Sequence, residues 1–317
     1  MADPLVSFRD KPPAKYMIAG WRRQWSDGGD ISSGLPRYLI EKLNARKIGE
    51  MTEYVNLMCY PFQVAGTHDA FRPRVSFKDG LPTTDMHREN AFYDAGDGLV
   101  LFRGEEPWQR LDIYGEAFFE AIKELGVVRT ASVEGYNGPA PPEMERNVNC
   151  VFSVPEMREE LEKLGIGFSS YGSERRAGPT IGMALVTMAH YHHPGVEMVR
   201  MGAMAPMYPF LTRSNEQVGI QRDHRAFYDI MRRLKAMFGL TIDLSELESL
   251  GENESRNLQE TLDRIGASDR SAKQIIDRAR ADYKPLPFDE PVDLPPELDR
   301  TLEDIIRNMP DQPDDRN

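Results

Sequence analysis

Three short stretches carry residue types that could do chemistry. Gly104-Glu105-Glu106-Pro107 follows an apolar run, Gly98-Leu-Val-Leu-Phe-Arg103. Two carboxylates therefore stand beyond the end of a strand, where an open α/β sheet presents ligand-contacting residues. The same pair opens a helix, whose macrodipole favours carboxylates by about 0.3–1 kcal/mol, so capping alone accounts for them. Two carboxylates at a helix start repel phosphate, so this is not a phosphate cradle. Gly178-Pro179-Thr180 is the better anion candidate, a helix start with free N–H groups preceded by Arg175 and Arg176. Its plain reading is a helix N-terminus behind a solvated basic loop. The loop after the first strand holds Trp21, Arg22, Arg23, Trp25 and Asp27. If these loops meet at the carboxyl end of the sheet, Trp21, Asp27, Gly104, Glu105, Glu106, Arg175, Arg176, Gly178 and Thr180 line a ligand pocket.

Other chemistry is weaker. Of His190, His192 and His193, only His190 and His193 share a helix face, and the segment supplies no carboxylate or cysteine at ligand spacing. Imidazoles near a helix C-terminus are also favourable simply when charged. Glu197-Met198 partly matches the ribose-binding Glu-Met-Glu of nucleoside phosphorylases, but Val199 stands where the second carboxylate belongs. There is no G-x-S-x-G, H-E-x-x-H, Walker loop or G-x-G-x-x-G. The expectation is no catalytic set, no metal and no cofactor.

The elements that must position these residues alternate. Tyr16–Gly20 reads as a buried first strand. A helix then runs to about residue 44, with Leu35, Leu39, Ile40 and Leu43 inward and Pro36 in its first turn. Ile48–Met51 begins a second strand. Residues 53–92 show no helical period, with a hairpin near Val75–Phe77 closed by Asp79-Gly80. In the central unit, Leu111, Tyr114, Phe118, Ala121, Ile122 and Leu125 recur at helical spacing between the run ending at Arg103 and Val127–Val133. That spacing predicts strand, helix, strand in one right-handed parallel crossover. Further expected elements are a strand at 149–154, a short helix from Pro155, a helix from Thr180, a strand at 196–201 and a long helix from about 216 to 238. Past Gly239 only charged helices follow. The division is a 1–240 α/β core, a 241–309 helical extension and a 310–317 polar tail whose composition predicts disorder.

Net charge of −12 over 317 residues argues against nucleic-acid and anionic-membrane partners. Two cysteines without short spacing fit a reduced, cytoplasmic protein. The N-terminus lacks a basic region and long apolar core, so no signal peptide is expected, and no run approaches the ~20 apolar residues of a membrane span. The sixteen methionines suit core filling. Tyr54, Tyr60, Phe62, Phe71 and Phe77, with Arg72 and Arg74, suit either an interface core or the edge of their own sheet.

The order of motifs resembles the proteasome assembly chaperone 2-like family. The matching pieces are Ala19-Gly-Trp21 with Asp27-Gly-Gly-Asp30, Gly104-Glu-Glu-Pro107, Leu125-Gly-Val127 with Gly135, Gly178-Pro-Thr180, and Leu240 with Asp243–Glu248. They cover most of residues 15–250. The sequence departs at Ile181-Gly182, where the family order is Gly-Ile, and ends Asp315-Arg-Asn317 without a hydrophobic-Tyr-X tail. The resemblance implies a three-layer sandwich around a mostly parallel sheet, like nucleoside phosphorylases and related hydrolases. It also implies self-assembly into a homo-oligomer, most simply a trimer, and no established catalytic set. The resulting expectation is a non-enzymatic assembly factor or scaffold with an unknown protein partner. The rival is a hydrolase or phosphorylase-like enzyme using the loops at the carboxyl end of the sheet.

Overall fold

The chain folds around one ten-stranded mixed sheet, which the computed structural model describes over residues 3–24, 26–60, 75–83, 88–170, 178–212, 215–286 and 288. Its centre is four parallel strands in the order β7 (Leu99–Glu105), β2 (Tyr16–Arg22), β8 (Arg129–Gly138) and β11 (Glu197–Leu211). The run Leu99–Phe102 is buried throughout, as a parallel strand covered on both faces requires. The strand–helix–strand unit is present: α3 (Leu111–Leu125) links β7 to β8, and Gly126, at φ 72, ends it. The two strands do not pair with each other, because β2 lies between them.

The expected mostly parallel sheet is corrected to a mixed one. On one side β6 (Ala91–Asp94) pairs antiparallel with β7, then β3 (Arg46–Met51) with β6 and β1 (Val6–Phe8) with β3. The β6–β7 connection spans only 95–98, with Gly96, Asp97 and Gly98 all at positive φ, and a connection that short joins only antiparallel strands. On the other side β9 (Val148–Phe152) runs antiparallel to β11 and carries the two-residue β10 (Gly167–Phe168). A separate hairpin, β4 (Phe77–Lys78) and β5 (Leu81–Pro82), is closed by Asp79 and Gly80 at φ 51 and 81, the two-residue turn their sequence predicts.

Alternation along the strands divides the core. Ile18, Leu101, Val133 and Val199 pack with Leu35 and Leu39 of α1 (Ile31–Lys42) and Phe227, Ile230 and Leu234 of α6 (His224–Phe238). Met17, Ala19, Val100 and Phe102 pack instead with Tyr114 and Phe118 of α3 and Ile181 and Leu185 of α5 (Ile181–His192). Each fully buried side chain of this size stabilises the fold by about 1.5–3 kcal/mol.

Two helical expectations change. Pro36 lies beyond the first turn of α1, which starts at Ile31, and its ring faces the Cα of Gly20 beside the Ser32 carbonyl. The long helix starts at His224 rather than near 216, because Gln217–Gly219 forms strand β12 against an extended β11. Asp223 caps that helix, accepting from the Ala226 amide at 3.1 Å. The short helices are α2 (Glu53–Asn56) and α4 (Arg158–Lys163). The chain then forms α7 (Ser245–Ser268) and α8 (Arg270–Asp282). Leu258, Leu262 and Ile276 of these pack on Tyr208, Val218 and Ile220 of the β11–β12 region, so the C-terminal helices lean on the main sheet. Residues 289–317 lie outside the described residues, as does the expected polar tail. No helix among the described residues is long and apolar enough to cross a membrane.

Buried charges tie α6 to the loop after β8. Arg146, in the loop after β8, bonds Asp223 through Nε at 2.8 Å and Asp229 through its backbone N–H at 2.7 Å. Asp229 Oδ1 has no partner among the described residues. Burial, against the opposing pull of Arg225, raises its carboxyl from 3.8 to about 6. A folded-state pKa above the unfolded one means the folded chain holds the proton more tightly. The associated stability is full below pH 4 and is lost as pH rises through 6, by about 3 kcal/mol. Urea unfolding of Asp229→Asn against the parent at pH 4 and pH 7 is expected to show the variant gaining ground at pH 7; a pH-independent difference contradicts this assignment.

Candidate functional site

The residues singled out at the carboxyl end of the sheet go to three different places. Trp21 and Glu105 close a buried polar network. Trp21 Nε1 donates to the Tyr114 hydroxyl at 2.9 Å, which donates to Asn90 Oδ1 at 2.8 Å. The Glu105 amide donates to the same Asn90 oxygen at 2.7 Å, and Asn90 Nδ2 donates to Asn56 Oδ1 at 2.7 Å. The Glu105 carboxylate is paired by Arg88 on one oxygen and by Arg22 Nη2 at 3.0 Å on the other. Gly104 leaves room for this, since a Cβ there would come within 2.8 Å of Asn90 Oδ1.

The capping reading of Glu105 and Glu106 is therefore corrected. In-register pairing with Arg22 keeps Glu105 inside β7, and α3 begins only at Leu111. Glu106 follows, half-buried, with its amide on the Arg22 carbonyl at 3.2 Å. Cys59 lies under Asn90, and burial pushes its thiol up to about 11, so no thiolate nucleophile is available at neutral pH.

Asp27 holds the start of α1. Its carboxylate accepts from the Ser32 amide at 2.6 Å and from the Ser33 amide and hydroxyl at 3.1 and 2.6 Å. Burial raises its pKa, and these bonds oppose the rise. The next turn crosses β8 so closely that a Cβ on Gly135 would sit 1.7 Å from the Gly28 carbonyl oxygen.

Gly178 and Thr180 lie elsewhere, on the wall of a cavity of about 900 Å³. Trp21, Asp27, Gly104, Glu105 and Glu106 do not line it, so among the described residues the expected set does not meet in this cavity. Arg175 and Arg176 lie outside the described residues, as do Trp25, Phe62 and Phe71. The anion role expected of the helix start is taken internally. Gly182 N–H, in the first turn of α5, donates to Glu134 Oε1 at 3.0 Å, and Arg200 Nε donates to Glu134 Oε2 at 2.7 Å. A Cβ on Gly182 would come within 2.4 Å of Glu134 Oε1, so the departure at Ile181-Gly182 makes space for this carboxylate. Thr180 caps α5, accepting from the Met183 amide at 3.4 Å.

His190 Nδ1–H donates to the Ser153 carbonyl at 2.7 Å, and His193 stacks on Phe119 at 4.0 Å. Among the described residues no group of three or more His, Cys, Asp or Glu could hold a metal ion. Glu197 pairs with Arg129 at 2.5 Å at the amino end of β11 and not in the carboxyl-end loops.

Sequence reasoning missed Glu134, Arg200, Asn90 and Arg88. A signal existed for the first two, since each is a charge inside a buried parallel strand, which is tolerated only when paired. Nothing local marked Asn90 or Arg88, whose partners lie in other segments. Glu105→Ala, which strands the buried Arg88, is expected to cost about 3–5 kcal/mol in urea unfolding. Thr180→Ala, losing one long cap bond, is expected to cost about 1 kcal/mol or less. Equal costs would show that Glu105 is not the structural member of the two.

The PAC2 family profile matches residues 23–262. No curated protein is significantly similar in sequence. Among solved structures, a proteasome-assembly chaperone homologue from Mycobacterium tuberculosis superposes with TM-score 0.60 at 17% identity, over 78% of this chain and 94% of its own. A Corynebacterium glutamicum protein of unknown function gives 0.67 at 13%, over 89% and 97%. An archaeal proteasome activator from Pyrococcus furiosus gives 0.55 at 16%, over 81% and 97%. At these identities the structures are alike in fold alone. The profile spans most of the chain, with Asp27-Gly-Gly-Asp30, Gly104-Glu105-Glu106-Pro107 and Gly178-Pro179-Thr180 inside it, and the protein is a member of the PAC2 family.

Proposed function

We propose that this protein acts through protein–protein contacts, as a non-enzymatic assembly factor or scaffold, and that it self-associates into a homo-oligomer of three chains. The supporting observation is that the polar residues nearest the carboxyl end of the sheet are engaged inside the fold. Glu105 is held by Arg88 and Arg22, Asp27 by the start of α1, and Glu134 by Arg200 and α5. Family membership points the same way, with a proteasome-assembly chaperone homologue and a proteasome activator among the similar folds. We read the helices on both faces of the sheet as a three-layer sandwich of the nucleoside phosphorylase and hydrolase kind. The hydrolase or phosphorylase alternative is weakened because Glu105 and Glu197 are both consumed in ion pairs. Cys59 and Cys150 are free, buried thiols, which suits a reducing, cytoplasmic setting.

The surface offers a place for self-association. Tyr54, Leu57, Trp108 and Leu111 are exposed on adjoining segments, joined where the Trp108 amide donates to the Met58 carbonyl at 2.8 Å. Aromatic and aliphatic side chains gathered this way are typical anchors of an interface core. Light scattering at micromolar concentration is expected to give a mass near three times the 36.1 kDa chain. Leu57→Glu is expected to reduce it to that of one chain with the circular dichroism unchanged. A single-chain mass that persists at high concentration and low salt overturns the oligomer. An unchanged mass in Leu57→Glu removes this patch from the interface.

A further inference from the structure

The cavity beside α5 has a composition unlike the rest of the molecule. The chain holds 51 acidic residues against 39 Lys and Arg, yet among the described residues no Asp or Glu lines this cavity, and Arg200 does. It lies between α5 and the strands β9 and β10, which supply Val151 and Phe168 to its wall. Val151, Phe168, Met183 and Val186 supply apolar wall, and Ser169 and Thr180 supply hydroxyls.

Arg200 is 3% exposed. Its Nε is spent on Glu134 and its Nη1 donates to Asn149 Oδ1 at 3.1 Å. Its Nη2 has no acceptor among the described residues, and it is not among the nitrogens sealed from solvent without one. A buried guanidinium that lines the cavity thus keeps one amino group unspent. Glu134 balances the charge of Arg200 and takes the Gly182 amide of α5, so Nη2 is the donor left for a further acceptor. The volume is in the range of small-molecule sites, and the wall mixes apolar side chains with polar ones, among them Asn149, Thr187 and His190.

We infer that this cavity binds a small organic anion, with its carboxylate or phosphate headgroup on Arg200 Nη2 near the start of α5 and an apolar or aromatic body against Val151, Phe168 and Met183. The headgroup accepts the unspent guanidinium hydrogen bond, a charge-assisted bond stronger than a neutral one. The body removes apolar wall from water. The inference is independent of self-association, because the patch carrying Leu57 and Trp108 does not line the cavity.

Saturation-transfer NMR on the full chain tests this with benzoate, phenyl phosphate and uncharged phenol as probes. At least one of the two anions is expected to bind with a Kd of about 1 mM or tighter, at least tenfold more tightly than phenol. Thr187→Trp places an indole at the cavity wall from an exposed helix position and is expected to weaken anion binding at least tenfold. Arg200→Lys keeps a cation for Glu134 but removes Nη2, and the same loss is expected. Should Arg200→Lys fail to fold, Thr187→Trp decides alone. Phenol binding as tightly as the anions, unchanged anion binding in Thr187→Trp, or no anion binding at about 10 mM overturns the inference.

Discussion

The bond of Glu134 to both Arg200 and the first turn of α5 fixes the geometry on which the rest of this face depends. It ties a central strand, its parallel neighbour and the covering helix at one point. A buried carboxylate is tolerable only if paired and hydrogen-bonded, and here both of its oxygens are met. Gly182 is required for that approach, and Gly202 makes space on the other side, where a Cβ would come within 2.3 Å of Arg200 Nη1. Because Arg200 is held by Nε and Nη1, its position in the cavity is set by the fold and not by any ligand.

The second network, around Asn90, does for β2 and β7 what Glu134 does for β8 and β11. Asn90 Oδ1 accepts from both the Tyr114 hydroxyl and the Glu105 amide, joining the helix that covers the sheet to the strand end beneath it. Arg88 and Arg22 then neutralise Glu105. Two carboxylates that look like site residues in the sequence, Glu105 and Asp27, are thereby absorbed as structural ones. Tyr54, Leu57, Trp108 and Leu111 stay outward nearby. A surface of that kind suits contact with another protein better than chemistry.

Much of the architecture was legible where the signal was local. The period of Tyr114, Phe118 and Leu125, bounded by Gly126, gave the central helix, and Asp79-Gly80 gave its hairpin. The mixed character of the sheet was not legible, because strand direction depends on which distant strand a segment meets. Gln217–Gly219 illustrates the point: read alone it prolongs a helical pattern, and only the extension of β11 beside it makes it a strand. At the site, the helix start at Thr180 was legible, but the carboxylate already seated on it was not, since Glu134 comes from another segment. Trp21 and Glu105 lie on paired strands and are both buried, which their separate sequence positions do not announce.

Self-association through the apolar patch is the central claim, and the patch is separate from the cavity. Hydrogen exchange followed by mass spectrometry, at low and high protein concentration, addresses this directly. Residues 53–59 and 106–111 are expected to gain protection as concentration rises, while residues 178–187 exchange at the same rate throughout. Protection that does not change with concentration, or that grows only around 178–187, would contradict it.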